Sequence, residues 1–530
     1  MSTGLVDPPA PTVAPWENAT PDPRVLAGVS VRARDTATLG RFTSQGDRCG
    51  WCTQPIRLAG TQSVVDRSTG EIVHIYSTGS EPDGVLLKAC GTRRATRCPS
   101  CASTYAADAR MLVRSGISGG KGIPESVSRH PMVFATLTAP SFGPVHRSPK
   151  GGRQTCRPGA RGRKCPHGKP MFCIERHAPD DPAVGEPLCA DCYDYPSAVL
   201  WNATCPELWR RTTIYVRREL ARLVGITVKR LGELVRLSFT KVAEYQRRGV
   251  VHLHAVIRLD GVGDDRSGPG ASADSENRPA PPASFDVSTL SAAIRTAVAR
   301  VSAPLPTASP EGAMASARWG SQIDVRTIVD GKEITPRRAG ERGLGSIATG
   351  ARAVANYVAK YATKSTDDTG ALDRRLHSLS DLGARGVTGH LRRMVETAWN
   401  LGAQPELAKL RHWAHTLGFG GHWLTKSRRY SVTFAFLRAE RQAWQVRRHS
   451  HPKAISSDAV VLSDWEWVGT GWRTVGDAWM AVIGRREKAD SKIESREARC
   501  LAGAPGYAPW DASGVLVIGD PLPLPSGAWP

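Results

Sequence analysis

Eleven of the chain's twelve cysteines fall between Cys49 and Cys205, leaving only Cys500 outside. The N-terminus, MSTGLVDPPAPTVAPWENATPDP, has neither the basic start nor the apolar stretch of a secretion signal, so a cytoplasmic location is expected. In a reducing compartment, crowded thiols point to zinc rather than to structural disulfides. Two C-x-x-C knuckles, Cys49 to Cys52 and Cys98 to Cys101, flank a hairpin-like SVVDRSTGEIVHIYS and supply four thiolates for a tetrahedral ion. Cys90 is either a spare thiol or a substitute ligand. A second group offers Cys156, Cys165, Cys173, Cys189, Cys192 and Cys205, with His167 and His177 nearby. The preferred set is Cys165, Cys173, Cys189 and Cys192, with His167 as the replacement for one of them. Two structural zinc ions are therefore expected. Four protein ligands leave no open position for a substrate, so their role is to hold loop-rich segments folded.

Lys and Arg number 71 against 49 Asp and Glu, giving a net charge of +22 and a pI near 9.8. That balance favours a polyanionic partner, nucleic acid first and an anionic membrane surface second. No run of about 18 apolar residues exists to span a bilayer. No G-x-x-x-x-G-K-[ST] loop occurs either, so no ATPase motor is recognisable. At 530 residues the chain is long enough for several domains.

Residues 1–45, rich in Pro and small polar residues, are expected to be disordered, with an N-terminal zinc segment over 46–125. The stretch YAADARMLVRSGI reads as a helix and MVFATLTAP as a strand whose Phe134, Thr136 and Thr138 share a face. A second zinc-binding insertion spans about 150–205, after which PELWRRTTIYVRRELARLVG reads as a helix. LVRLSFTKVAEYQ and VVHLHAVIRL are strands joined at Arg-Arg-Gly, a hairpin signal. A Gly, Pro, Ser and Asp loop at about 261–285 reads as a flexible insertion. Beyond it come the helix STLSAAIRTAVARV, the strand RWGSQIDVRTIV and the helix GARAVANYVAKYATK. The expected fold is α+β, an antiparallel sheet with a ferredoxin-like split βαβ core over 126–370. Residues 371–485 are expected to be basic, mainly helical and suited to DNA, and 486–530 to be a tail.

In VVHLHAVIRL the alternation of strand side chains puts His252 and His254 on one face, where they can grip one metal ion. With the turn centred on Arg248, Glu244 falls opposite His252, and Gln246 shares that face. Glu244 is the preferred third ligand and Gln246 the alternative. Two imidazoles and one oxygen leave positions open on Mg²⁺ or Mn²⁺. In NYVAKYATK, Tyr357 and Tyr361 stand four residues apart on one helix face, with Lys360 and Lys364 beside them. A tyrosine hydroxyl becomes a useful nucleophile when a metal polarises a phosphate and a lysine steadies the developing charge.

The order FATLTAP, then His-Leu-His, then Tyr-Val-Ala-Lys-Tyr resembles the three motifs of the HUH endonucleases. The whole arrangement is similar to the rolling-circle replication initiators of actinobacterial plasmids and integrative elements. The tyrosine pair also resembles that of the gene A proteins of small single-stranded DNA phages. The resemblance spans residues 132–364. It implies an HUH nuclease domain, with His252 and His254 as metal ligands and Tyr361 as nucleophile. It further implies a metal-dependent, site-specific DNA endonuclease and strand transferase, a nickase that links covalently to DNA at a double-strand origin exposed as a single strand. Related plasmid initiators can carry Glu at the position of Tyr357, and the departure of this chain from that pattern favours a second tyrosine for strand closure. A host helicase and DNA polymerase are the implied partners. The competing readings are a two-tyrosine transposase and a non-catalytic, zinc-dependent DNA-binding regulator.

Overall fold

The computed structural model describes residues 22–149, 153–157, 162–263, 278–306, 315–329, 349–350, 354–355, 357–358, 375–384, 387, 389–449 and 459–501. It divides into two compact units, Thr104–Ser450 and a unit made of Met1–Ser103 with His451–Pro530.

In the first of these, a six-stranded sheet is built from β1 (Met132–Leu137), β2 (Val235–Tyr245), β3 (Val251–Gly261), β4 (Ile323–Val329), β5 (Thr349–Gly350) and β6 (Leu424–Lys426). Across the sheet the order is β5-β4-β1-β3-β2-β6, antiparallel except for the β4 and β5 pair. Helix α1 (Tyr195–Val224) connects β1 to β2, and α2 (Val287–Arg300) connects β3 to β4. Strand, helix, strand, strand, helix, strand in the spatial order four, one, three, two is the split βαβ arrangement that the sequence pattern led us to expect.

Alternation along β3 assigns its residues to two different faces. Leu253, Ala255, Ile257 and Leu259 join Val133, Ala135 and Leu137 of β1 in the core under α1 and α2, with Leu208, Val216 and Ile294 from the helices. Val256 points the other way, into a smaller core with Phe134, Val242, Leu112, Ile117, Val354, Val358 and Tyr430. His252 and His254 therefore stand on the face that α1 and α2 leave uncovered.

Helix α1 begins at Tyr195, earlier than the expected start at Pro206. Asp194 caps it by accepting a 3.0 Å bond from the Ser197 backbone N–H, and Pro206 is carried inside the helix. Gly225, at φ 73°, ends it in the left-handed conformation that favours glycine. The expected flexible loop is ordered at its end, where Phe285 is fully buried; residues 264–277 lie outside the described residues.

The other unit is organised around Ile56–Asp66, which pairs with Ile72–Ser77, Leu86–Lys88 and Ala459–Thr470. It corrects three expectations. Residues 23–48 form two helices, Pro23–Ala33 and Thr36–Arg48, capped by Asp22 and Asp35. They are held by burial of Phe42 and by Arg32, whose Nε donates to Asp477 over 2.8 Å. The expected helical C-terminal region is also divided: residues up to 450 belong with the six-stranded sheet, to which they add β6, and the stretch beyond contributes the twelve-residue strand Ala459–Thr470. The tail expected from 486 continues as helix Val475–Leu501.

Candidate metal centre

The turn between β2 and β3 fixes the geometry of the centre. Gln246 N–H donates to the Val250 carbonyl over 2.9 Å, and Gly249, at φ 74°, completes a three-residue loop with a left-handed glycine. This register sets Glu244 opposite His252 and Val242 opposite His254. On the other side of β3, Thr136 of β1 pairs with His254.

The side chains converge. Oε2 of Glu244 lies 2.8 Å from Nε2 of His252 and 3.1 Å from Nε2 of His254, and the two ring nitrogens are 3.1 Å apart. Nδ1 of His254 lies 3.0 Å from the Thr136 hydroxyl. With its Nδ1 proton donated to that oxygen, His254 turns the Nε2 lone pair toward the centre. Burial pushes the His254 imidazole below its ordinary value, against the opposing pull of Glu244. Burial raises the Glu244 carboxyl, but the neighbouring imidazoles of His252 and His254 outweigh it and hold the group below its ordinary range. A neutral imidazole and an ionised carboxylate are what a divalent cation requires of its ligands. The donor set, one oxygen and two nitrogens, fits such an ion.

Gln246, the alternative ligand, does not reach this group: its Oε1 accepts from Arg248 Nε over 2.9 Å. Tyr357 lies in helical conformation, partly exposed, with its ring edge-on to His254 at 5.0 Å and to Phe134 at 5.6 Å. Tyr361, Lys360 and Lys364 lie outside the described residues. Thr136 is a contributor that sequence reasoning missed; only its place on the face shared with Phe134 and Thr138 hinted at it. Beside the centre runs a groove of about 850 Å³, whose lining includes Thr138, Gln246, Arg247, Arg318 and Gln322.

The cysteine groups differ from the expected sets by one residue each. In the unit containing Ile56–Asp66, Cys52, Cys90, Cys98 and Cys101 bring their sulfurs together. Sγ separations of 3.6 Å for Cys90 and Cys101, 3.7 Å for Cys98 and Cys52, and 3.6 Å for Cys101 and Cys52 match the ~3.8 Å edge of a tetrahedron with Zn–S bonds of ~2.3 Å. Cys90 stands in the place expected for Cys49, whose thiol donates instead to the Gly46 carbonyl over 3.3 Å. In the other unit the group is Cys165, His167, Cys189 and Cys192, with Nδ1 of His167 3.2 Å from Sγ of Cys192. His167 takes the place expected for Cys173, which lies in a separate cluster. Burial pushes the Cys205 thiol up to about 12, and it joins none of these groups. These Cys and His clusters are able to hold zinc.

Among the described residues no helix is long and apolar enough to cross a membrane. No solved structure matches the chain. The chain is 41% identical over 488 residues to a replication initiator protein of Streptomyces ambofaciens, an alignment that covers 90% of this chain and 96% of that relative. The family model described as RepSA, replication initiator protein, pSAM2, matches residues 38–484. With that extent of match, the chain belongs to the RepSA family of replication initiator proteins.

Proposed function

We propose that the chain initiates rolling-circle replication by nicking one DNA strand through a tyrosine. The observation that carries this reading is the convergence of Glu244, His252 and His254 beside Tyr357 on the uncovered face of the sheet. Mg²⁺ or Mn²⁺ held by these three residues would polarise the scissile phosphate and offset its charge. The Tyr361 phenol oxygen attacks phosphorus and the P–O3′ bond breaks. The DNA 5′ end is left as a phosphotyrosine, and the phenol proton is matched by the one gained at the released 3′-hydroxyl. Lys360 and Lys364 steady the developing charge. The 3′-hydroxyl then serves a host polymerase, while a host helicase opens the duplex.

After one round, Tyr357 attacks the regenerated site and takes the new 5′ phosphate, and the 3′-hydroxyl so released attacks the Tyr361 phosphotyrosine, closing the displaced strand and returning the Tyr361 phenol. Arg247 and Arg318 give the neighbouring groove the positive charge that suits a single strand threading past the centre. Membership of a replication initiator family favours an origin over a transposon end as the target.

The test is incubation of the purified chain with supercoiled plasmid carrying the adjacent element DNA and Mn²⁺, followed by denaturing electrophoresis. A 5′-linked adduct, absent in Tyr361→Phe, is expected; salt-dependent binding with no adduct would favour the regulator instead.

A further inference from the structure

The insertion between β1 and α1 holds a cluster that belongs neither to the candidate metal centre nor to the Cys165 group. Nδ1 of His146 lies 3.1 Å from Nε2 of His177, and Sγ of Cys173 lies 3.4 Å from that same nitrogen. With Sγ of Cys156 included, all four donor atoms lie within 4.8 Å of one another. A tetrahedral ion with bonds of ~2.0 Å to nitrogen and ~2.3 Å to sulfur sets its ligands ~3.3 to 3.8 Å apart.

The donors are held for that purpose. Cys156, Cys173 and His177 are buried and His146 is half-buried. Nδ1 of His177 lies 2.7 Å from Oδ2 of Asp181, which keeps the ring proton on Nδ1 and turns the Nε2 lone pair inward. The Arg147 backbone N–H donates to Sγ of Cys156 over 3.1 Å, a bond that favours thiolate.

We propose that His146, Cys156, Cys173 and His177 bind a zinc ion of their own, forming with the Cys165 group a two-zinc module whose ligands interleave along the chain. His146 and Cys156 serve this site, Cys165 and His167 the other, Cys173 and His177 this one again, and Cys189 and Cys192 the other. Binding takes up two thiolates and two neutral imidazoles, the two thiol protons leave to solvent, and no electron moves. Each ion closes a loop that contains ligands of its neighbour, so loss of one lengthens the loop that the other must close.

The site also braces the hairpin of the candidate metal centre. Asp181, which orients His177, accepts at its backbone carbonyl a 3.3 Å bond from Nη1 of Arg247 in the turn between β2 and β3. That turn joins the strands bearing Glu244 and His252.

Zinc content of the full chain, purified under reducing conditions and measured by elemental analysis, tests the proposal. In a His252→Ala/His254→Ala background, which removes the centre's own affinity for zinc, three ions per chain are expected. Adding Cys156→Ser/Cys173→Ser is expected to leave two or fewer. His146→Cys, which keeps a ligand in place, is expected to retain all three, separating ligation from a general need for these residues in folding. Two ions in the starting chain, with no loss on adding Cys156→Ser/Cys173→Ser, would overturn it.

Discussion

Gly185 meets the main chain of Arg247 so closely that a Cβ on the glycine would sit 2.5 Å from the Arg247 carbonyl carbon. Gly185 is also at φ 97°, a conformation that L side chains rarely adopt. Gly185→Ala should therefore cost about 1–3 kcal/mol from strain alone, with the clash in addition. It should also shift the turn between β2 and β3. The check is the urea midpoint together with Mn²⁺ affinity: both are expected to fall, whereas Gly225→Ala, also at positive φ but with open space around it, should leave the Mn²⁺ affinity unchanged.

A metal held at the candidate centre would feel Thr136 through His254, whose Nδ1 lies against the Thr136 hydroxyl. Thr136→Val keeps the shape of the side chain and removes the hydroxyl 3.0 Å from Nδ1, freeing the ring to rotate or change tautomer. Loss of such an outer partner should weaken metal binding by about 10- to 100-fold. Calorimetric titration with Mn²⁺ measures this, and Thr136→Ser should recover most of the affinity.

Tyr357 has its ring against His254, yet the proposed division of roles between the tyrosines gives it the later step. Tyr357→Phe should leave the first covalent adduct within about twofold of the parent chain while reducing closed single-stranded product by tenfold or more, a loss of about 1.4 kcal/mol or more in barrier terms. Equal loss of adduct and of closure would reverse the assignment. A two-step assay on an oligonucleotide carrying two nick sites separates these outcomes.

Asp260 and Arg258 form a buried pair at the far end of β3, with Nε to Oδ1 at 2.6 Å and Nη2 to Oδ2 at 2.9 Å; His130 and Ser238 complete the carboxylate's partners at 2.8 and 2.6 Å. Burial raises the Asp260 carboxyl, and the His130 bond, the Arg258 charge and the Ser238 bond together drive it far below the usual carboxylate range. Its native value lies below its unfolded one. The stability it adds is thus complete above about pH 4 and drains away as pH falls toward the native value. Asp260→Asn leaves Arg258 buried without its charge partner, and about 3–5 kcal/mol should be lost at pH 7. Urea titrations at several pH values should show a shallower acid slope for the variant below pH 4.

Much of the sheet and of its candidate centre was legible in the sequence because both rest on local rules. Period-two alternation put His252 and His254 on one face, and an Arg-Arg-Gly turn fixed Glu244 opposite His252. The zinc sets were legible as clusters but not as memberships. Spacing cannot tell that the Cys49 thiol bonds to the Gly46 carbonyl while Cys90 reaches Cys101, since that choice is made by tertiary folding. The same limit hid His146, which carries no local metal signature and meets His177 only through the fold of the insertion. The helices over 23–48 were missed because their partners, such as Asp477 for Arg32, are 445 residues away in the chain.

That separation has a consequence for synthesis. Ile56–Asp66 emerges from the ribosome long before its partner Ala459–Thr470, and Trp472, which donates to the Cys52 carbonyl over 2.9 Å, follows 420 residues after Cys52. A nascent chain thus exposes an unpaired strand edge while the six-stranded sheet between them is translated and folds. A ribosome that stalls or stops before residue 459 releases a protein with the candidate metal centre complete and the first sheet lacking its longest partner strand, so translation past residue 470 decides whether that sheet ever closes.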